Sequence, residues 1–324
     1  MTLPNLKGKS FLSLLDFTAE ELLWLIELSA DLKAMKKRGI TQDLLKGKHI
    51  ALLFEKTSTR TRCAFETAVY DEGGHVTFLD PISSQMGKKE SIEDTAKVLA
   101  RYYDGIEYRG YSQKTLEVLR DAGGVPVFNG LSDVEHPTQI LADLLTIQEH
   151  CPGKGISDLK VVFVGDVRNN VAATWNYASK LLGFKFVGFG PKELFGGTPE
   201  SHENALYTED ISCIEGADAV YTDIWASMGE EDIIEERVKL LGKYKVTAEI
   251  MAATKNENCL FLHCLPSFHN FETELAKEWI EKGVDIREVD DDVFRSKNSV
   301  VFDEAENRMH TIKAIMVATV SDKL

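Results

Sequence analysis

Phe54-Glu55-Lys56-Thr57-Ser58-Thr59-Arg60-Thr61-Arg62 follows the apolar run His49-Ile50-Ala51-Leu52-Leu53 and leads into a segment with helical periodicity. The stretch reads as a strand, a polar turn and a helix that begins among hydroxyls and guanidiniums. A helix start leaves backbone N–H groups unpaired and carries partial positive charge, so it favours an anion. Ser58, Thr59 and Thr61 add hydroxyl donors, and the arginines add planar forks that match phosphate oxygens. Ser/Thr before an apolar-periodic run is also an ordinary N-cap. Capping alone does not call for cations in the first turn, where they oppose the dipole. Arg60 and Arg62 are two residues apart and do not share a helix face, so Arg60 is expected at the ligand and Arg62 in a partly structural role.

Working outward, Gly73-Gly74 ends that helix ahead of a second strand, His75 to Leu79, which gives a βαβ unit. Before it, Thr18-Ala-Glu-Glu opens an amphipathic helix running to Lys36. After it, the pattern predicts a helix over 91–103, a strand over 105–108, a helix over 115–122, a strand over 125–128 and a long helix from Pro137. The pattern breaks at His150-Cys151-Pro152-Gly153-Lys154-Gly155 and restarts at Leu159 to Asp166. The second half predicts a helix over 170–182, strands at 186–189, 219–222, 246–248 and 260–263, and a final helix over 303–320. The crossover from Pro191 to Glu209 is Gly/Pro-interrupted, with little helical period. Strands alternating with helices imply an α/β protein of two doubly wound domains, each a mainly parallel sheet covered by helices. The expected division is 1–150, 151–302, and a C-terminal helix, 303–324, packing back on the first domain.

The 324 residues suffice for two domains. Hydrophobic content of 44% and charged content of 27% are those of a globular chain. A net charge of −15 disfavours a general nucleic-acid or anionic-membrane surface, so cations that meet anionic substrates must be concentrated locally. The five cysteines are scattered with no C-x-x-C pair, which fits free thiols in a reducing compartment and suggests no zinc site. No signal-like apolar region opens the chain and no stretch reaches the ~18 apolar residues of a membrane span, so a cytoplasmic location is expected.

In parallel α/β sheets ligands gather where strands end and helices begin. Gln85 lies in a polar loop ahead of a helix, where a solvated turn is the competing reading. Arg109 ends a strand. His136-Pro137-Thr138-Gln139 opens the long helix, with Pro at its first turn. An imidazole and an amide about one turn apart there can address a carbonyl and its amine. Gly165-Asp166-Val167-Arg168-Asn169-Asn170 stands where a dinucleotide fold would carry G-x-G-x-x-G, and the missing glycines weaken a nicotinamide-dependent reading. Asp223 precedes a loop with Ser227-Met228-Gly229, although a lone Asp is more often a turn carboxylate. Cys264, in His263-Cys264-Leu265-Pro266, is either a nucleophile or a neutral wall; no base adjoins it in sequence, which favours the wall.

Together, Ser58-Thr59-Arg60-Thr61-Arg62, His136-Pro137-Thr138-Gln139, Asp223 through Gly229 and His263-Cys264-Leu265-Pro266 resemble the aspartate/ornithine carbamoyltransferases nearly end to end. The last two motifs mark the ornithine branch, because the aspartate branch is expected to carry an Arg-bearing segment in place of His263 to Pro266. The resemblance implies that Ser58, Thr59, Arg60 and Thr61 bind the phosphate of carbamoyl phosphate, with Gln85 reaching a neighbouring subunit's site. It places Arg109, His136 and Arg308 at the carbamoyl oxygen and Gln139 at its amine. Asn170, Asp223, Ser227 and Met228 would hold the α-groups of ornithine, with Cys264 and Leu265 beside its side-chain amine. It further implies direct transfer to that amine with no cofactor, no metal and no covalent enzyme intermediate, in a homotrimer or a multiple of trimers. The short crossover Pro191 to Glu209 departs from the family's usual helix-containing segment. Putrescine carbamoylation and a phosphate- or nucleotide-sensing binding module are the alternatives.

Overall fold

His49–Phe54 (β1) is exposed at its first residue and buried at the next five, the signature of a central strand covered on both faces. The computed structural model describes residues 4–82, 84–226 and 231–323. The described chain divides into two compact units: Met1–Leu145 with Glu306–Leu324, and Thr146–Ala305.

In the first unit, Thr18 caps α1 (Ala19–Lys37) through a capping box with Glu21. Then follow β1, α2 (Thr59–Asp71), β2 (His75–Leu79), α3 (Ile92–Leu99), β3 (Gly105–Arg109), α4 (Gln113–Gly123), β4 (Val127–Leu131) and α5 (Pro137–His150). The four strands are parallel in the order β2-β1-β3-β4. One face buries Leu53, Ile106 and Val127 against Ala96, Leu99, Leu116 and Leu119 of α3 and α4. The helix predicted over 91–103 stops at Leu99, where Tyr103 N–H turns back to the Leu99 carbonyl. Pro126 has no N–H for a ladder, and β4 starts one residue later.

In the second unit, β5 (Lys160–Val164), α6 (Asn170–Leu182) and β6 (Lys185–Phe189) lead to β7 (Ala205–Thr208) and β8 (Ala219–Thr222). They are followed by α7 (Ile234–Leu241), α8 (Ala248–Ala253), β9 (Leu260–His263), α9 (Glu274–Glu281) and α10 (Asp291–Phe294); α11 (Val301–Val320) begins in this unit and continues into the first. The sheet is parallel, in the order β7-β6-β5-β8-β9. Val162, Val164, Val220 and Phe261 bury one face, and Phe163, Tyr221 and Trp175 pack as an aromatic group on the other. β7, inside the crossover that lacks helical period, is an edge strand with mixed exposure. The strand predicted over 246–248 does not form. Val246 makes a single bridge to Val289, and Thr247 caps α8 by accepting from Ile250 N–H, which turns the chain into a helix.

Both sheets reverse winding direction once. In the first unit β1 leads to β2 on one side while β3 lies on the other; in the second, β5 leads to β6 and β7 while β8 and β9 lie opposite. The crevice outside such a switch point is where α/β sheets receive ligands. In the first unit it is bounded by the turn after β1 and the end of β3, and in the second by the turn after β5 and the end of β8. No helix among the described residues is long and apolar enough to cross a membrane.

Candidate active site

At the switch point of the first unit, the N–H groups of Glu55 and Lys56 both donate to the Arg109 carbonyl, at 2.8 and 3.2 Å. The turn after β1 is thereby locked beside the end of β3. Ser58 is the N-cap of α2, its Oγ accepting from Thr61 N–H at 3.2 Å. It therefore caps the helix as an ordinary serine does, while its hydroxyl proton points elsewhere. Thr61 is fully buried, and its Oγ1 accepts from Arg109 Nη1 at 3.2 Å and from Arg308 Nη2 at 3.1 Å. Two buried guanidiniums thus converge on one hydroxyl oxygen at a helix N-terminus. Like charges so close repel one another, and an anion in that position relieves the repulsion.

Arg60 is half-buried on the first turn of α2. Arg62 turns away, pairing with Glu66 at 2.9 Å and stacking 3.8 Å over the Phe78 ring, which is the structural role expected of it. His136, buried at the start of α5, is pushed well below the usual imidazole range by burial and by the charges of Arg308 and Arg109, so the ring is neutral. One turn on, Gln139 Nε2 donates to Asp143 Oδ1 at 2.8 Å, which assigns the amide orientation. Gln85 stands apart. Its side chain is exposed, and its carbonyl accepts from the N–H groups of Lys88, Lys89 and Glu90 in a tight turn.

Glu107 lies two residues before Arg109 on β3 and is fully buried, and among the described residues neither of its carboxyl oxygens has a hydrogen-bond partner. Gly130 makes room for it, since a Cβ there would stand 1.9 Å from Glu107 Oε1. Burial drives its pKa well above 4.5, against the pull of Arg109 and Arg308. An acid in the middle of a strand was the available signal. A raised folded pKa means that the stability tied to the neutral acid is complete below the unfolded pKa and is lost as pH rises through the folded one. Glu107→Gln, which has no proton to lose, is accordingly expected to escape that loss, so that its stability relative to wild type grows as pH rises. Melting temperatures of both proteins from pH 5 to 8 check this, and parallel profiles would sink it.

At the switch point of the second unit, Asn169 caps α6, its Oδ1 accepting from Val171 N–H at 2.7 Å, and its Nδ2 donates to Asp223 Oδ2 at 2.8 Å. Asp223 Oδ1 accepts from Ile224 N–H at 2.8 Å and from Cys264 Sγ at 3.1 Å. Asp223 and Cys264 are thus brought together as the ends of neighbouring strands β8 and β9. Asn170 is the first residue of α6, next to the Asn169 that makes the bond. Asn is a preferred cap, so of the pair the first was the legible one. Leu265 holds φ at 52° and donates its N–H to His263 Nδ1 at 2.9 Å. His263 Nε2 is therefore the proton-bearing nitrogen, facing Glu288 Oε1 at 3.1 Å. Burial alone would lower the His263 pKa, but the Glu288 carboxylate more than offsets it and the net shift is upward. Asp223, His263 and Cys264 offer ligand atoms within 4.8 Å of one another. Both ring nitrogens of His263 are already engaged, Nδ1 by Leu265 N–H and Nε2 with Glu288, and Cys264 Sγ is turned to Asp223. Ser227 and Met228 lie outside the described residues.

Residues 9–149 match the family model for the aspartate/ornithine carbamoyltransferase carbamoyl-P binding domain, and residues 157–319 match that for the Asp/Orn binding domain. A protein of Clostridium perfringens strain 13 named ornithine carbamoyltransferase, catabolic, is 58% identical over 328 residues, spanning 97% of this chain and 98% of its own. One of Bacillus cereus ATCC 10987 with the same name is 52% identical, spanning 99% of each. Among solved structures, ornithine carbamoyltransferase from Pyrococcus furiosus aligns with a TM-score of 0.86 at 37% identity, over 98% of this chain and 99% of that one. The chain belongs to the aspartate/ornithine carbamoyltransferase family.

Proposed function

We propose that the protein is an ornithine carbamoyltransferase, transferring the carbamoyl group of carbamoyl phosphate to the side-chain amine of L-ornithine to give L-citrulline and phosphate. The convergence of the Arg109 and Arg308 guanidiniums on Thr61 at the start of α2 carries the reading, since it creates an anion site of the right chemistry. The acceptor follows from Asp223, a carboxylate suited to an α-ammonium, and from the similarity of the chain to proteins named for ornithine.

In this reading Ser58, Thr59, Arg60 and Thr61 hold the phosphate. Arg109, Arg308 and the neutral His136 donate to the carbamoyl oxygen, and the Gln139 oxygen accepts from the carbamoyl amine. Asn170, Asp223, Ser227 and Met228 hold the α-groups of ornithine, and Cys264 and Leu265 flank its δ-amine. That amine, reference pKa ~10.4 for an alkyl ammonium, reacts in its neutral form. Its lone pair adds to the carbonyl carbon, and the C=O electrons move onto oxygen facing the guanidiniums. Collapse breaks the bond to phosphate while the attacking nitrogen passes its proton to the departing phosphate. The protein contributes positioning and oxyanion stabilisation. A cytoplasmic trimer, or a multiple of it, with Gln85 at a neighbouring subunit's site completes the proposal; a monomer by light scattering would remove that part.

Citrulline formation measured with ornithine, putrescine and aspartate as competing acceptors tests the reaction. Turnover of ornithine well above the other two is expected. Preference for putrescine would replace the acceptor, and no carbamoyl transfer to any of them would leave an anion-binding module.

A further inference from the structure

The turn between β5 and α6 holds the chain that leaves β8 at two places. Asn169 Nδ2 grips Asp223 at 2.8 Å, and Asp166, three residues earlier, accepts from Arg237 Nη1 at 2.5 Å. Arg237 lies on α7, the first α-helix after Asp223. Asp166 is itself fixed from its own turn, accepting from Arg168 N–H at 3.0 Å, Arg168 Nε at 3.1 Å and Arg168 Nη2 at 2.9 Å. The Arg237 and Asp166 side chains are only 18% and 14% exposed, so their pairing is not a screened surface contact. Burial alone would raise the Asp166 pKa, but the two arginines hold it below the usual carboxylate value, so the anion persists.

Apolar packing and the Asp166–Arg237 pair together seat α7, whose Ile234 and Leu241 are buried. Arg237 and Val238 line a small apolar cavity of about 80 Å³ together with Ile224, Trp225, Phe268 and Leu275. Apolar contacts are non-directional, so the orientation of Arg237 against the β5–α6 turn is set by its polar anchor. Of the residues around the cavity, Ile224 follows Asp223 directly and donates its N–H to Asp223 Oδ1. Displacement of α7 therefore reaches the acceptor carboxylate through the residues just after it.

We propose that Arg237, acting through Asp166, is a positioning residue for the acceptor amino acid, fixing the chain on the far side of Asp223 as Asn169 fixes the near side. This rests on Asp223 receiving the α-amino group, as proposed above. Loosening the anchor then costs acceptor binding in the ground and transition states alike, which appears in KM rather than kcat.

The test compares wild type, Arg237→Lys, Arg237→Met and Asp166→Asn in steady-state citrulline formation, with thermal denaturation of each. Arg237→Met and Asp166→Asn are each expected to raise KM for ornithine about tenfold or more, with kcat and KM for carbamoyl phosphate changed by less than about threefold. Arg237→Lys, which keeps the charge without the fork, is expected to recover part of the loss. Should Arg237→Met not fold, the other two variants give the same reading. An active wild type whose variants lose thermal stability but keep KM for ornithine overturns the positioning role alone. A wild type that forms no citrulline overturns the activity on which it rests.

Discussion

Arg60→Ala is expected to weaken carbamoyl phosphate binding by about 2–5 kcal/mol, the range for removing one partner of a buried charge pair, or roughly 30- to several-thousand-fold in Kd. Arg60 sits on the first turn of α2, two residues after the cap Ser58, and is half-buried. A cation at that end of a helix opposes the dipole, and none of the first-turn residues of α2 is acidic. An anion bound at that end of the helix offsets the opposition. Arg62 supplies the internal comparison. It is on the same helix with the same charge, but its guanidinium is spent on Glu66 and the Phe78 ring. Arg62→Ala should leave carbamoyl phosphate affinity within about twofold of wild type, as surface pairs contribute little. Isothermal titration of both variants decides it. If Arg60→Ala also stays within about twofold, the phosphate is not held there.

The contrast between these arginines was legible in the sequence, because residues two apart on a helix cannot share a face. So was the placement of Arg109 at the end of β3 and of Asp223 just after β8, each closing a short strand. What escaped was decided by tertiary context. Glu107 stands at the centre of a strand and reads as one polar residue in an apolar run; only the approach of Gly130 and Arg308 makes it an acid buried beside two guanidiniums. The bond to Asp223 comes from Asn169 rather than Asn170, a one-residue difference set by which asparagine caps α6. β7 has four residues and one strand neighbour, so it carries too little periodic signal to separate it from its loop. Val246 shows the converse: β-branched and buried, it has the composition of a strand, but Thr247 starts a helix one residue later. Local preference lost there to the cap.

Asp223→Ala is expected to raise KM for ornithine on the order of 10- to 100-fold, the value of a hydrogen bond to a charged group, while carbamoyl phosphate binding stays near wild type. A turn carboxylate with no further role would be satisfied by its neighbouring backbone N–H. Asp223 has that bond from Ile224, but it also takes Asn169 Nδ2 on one oxygen and Cys264 Sγ on the other. Donors from the α6 cap, from Ile224 after β8 and from Cys264 after β9 orient the carboxylate, which is how a binding group is preorganised. The same contacts supply the competing explanation, that Asp223 merely ties β5, β8 and β9 together. Asp223→Asn separates the two. Its amide oxygen still accepts from Asn169 or Ile224, so a tie would largely survive, whereas an ammonium would lose its countercharge. Asp223→Asn is therefore expected to follow Asp223→Ala in KM for ornithine but stay close to wild type in melting temperature. A variant that melts early yet keeps its ornithine KM would make Asp223 a strut of the sheet and move the acceptor's ammonium elsewhere.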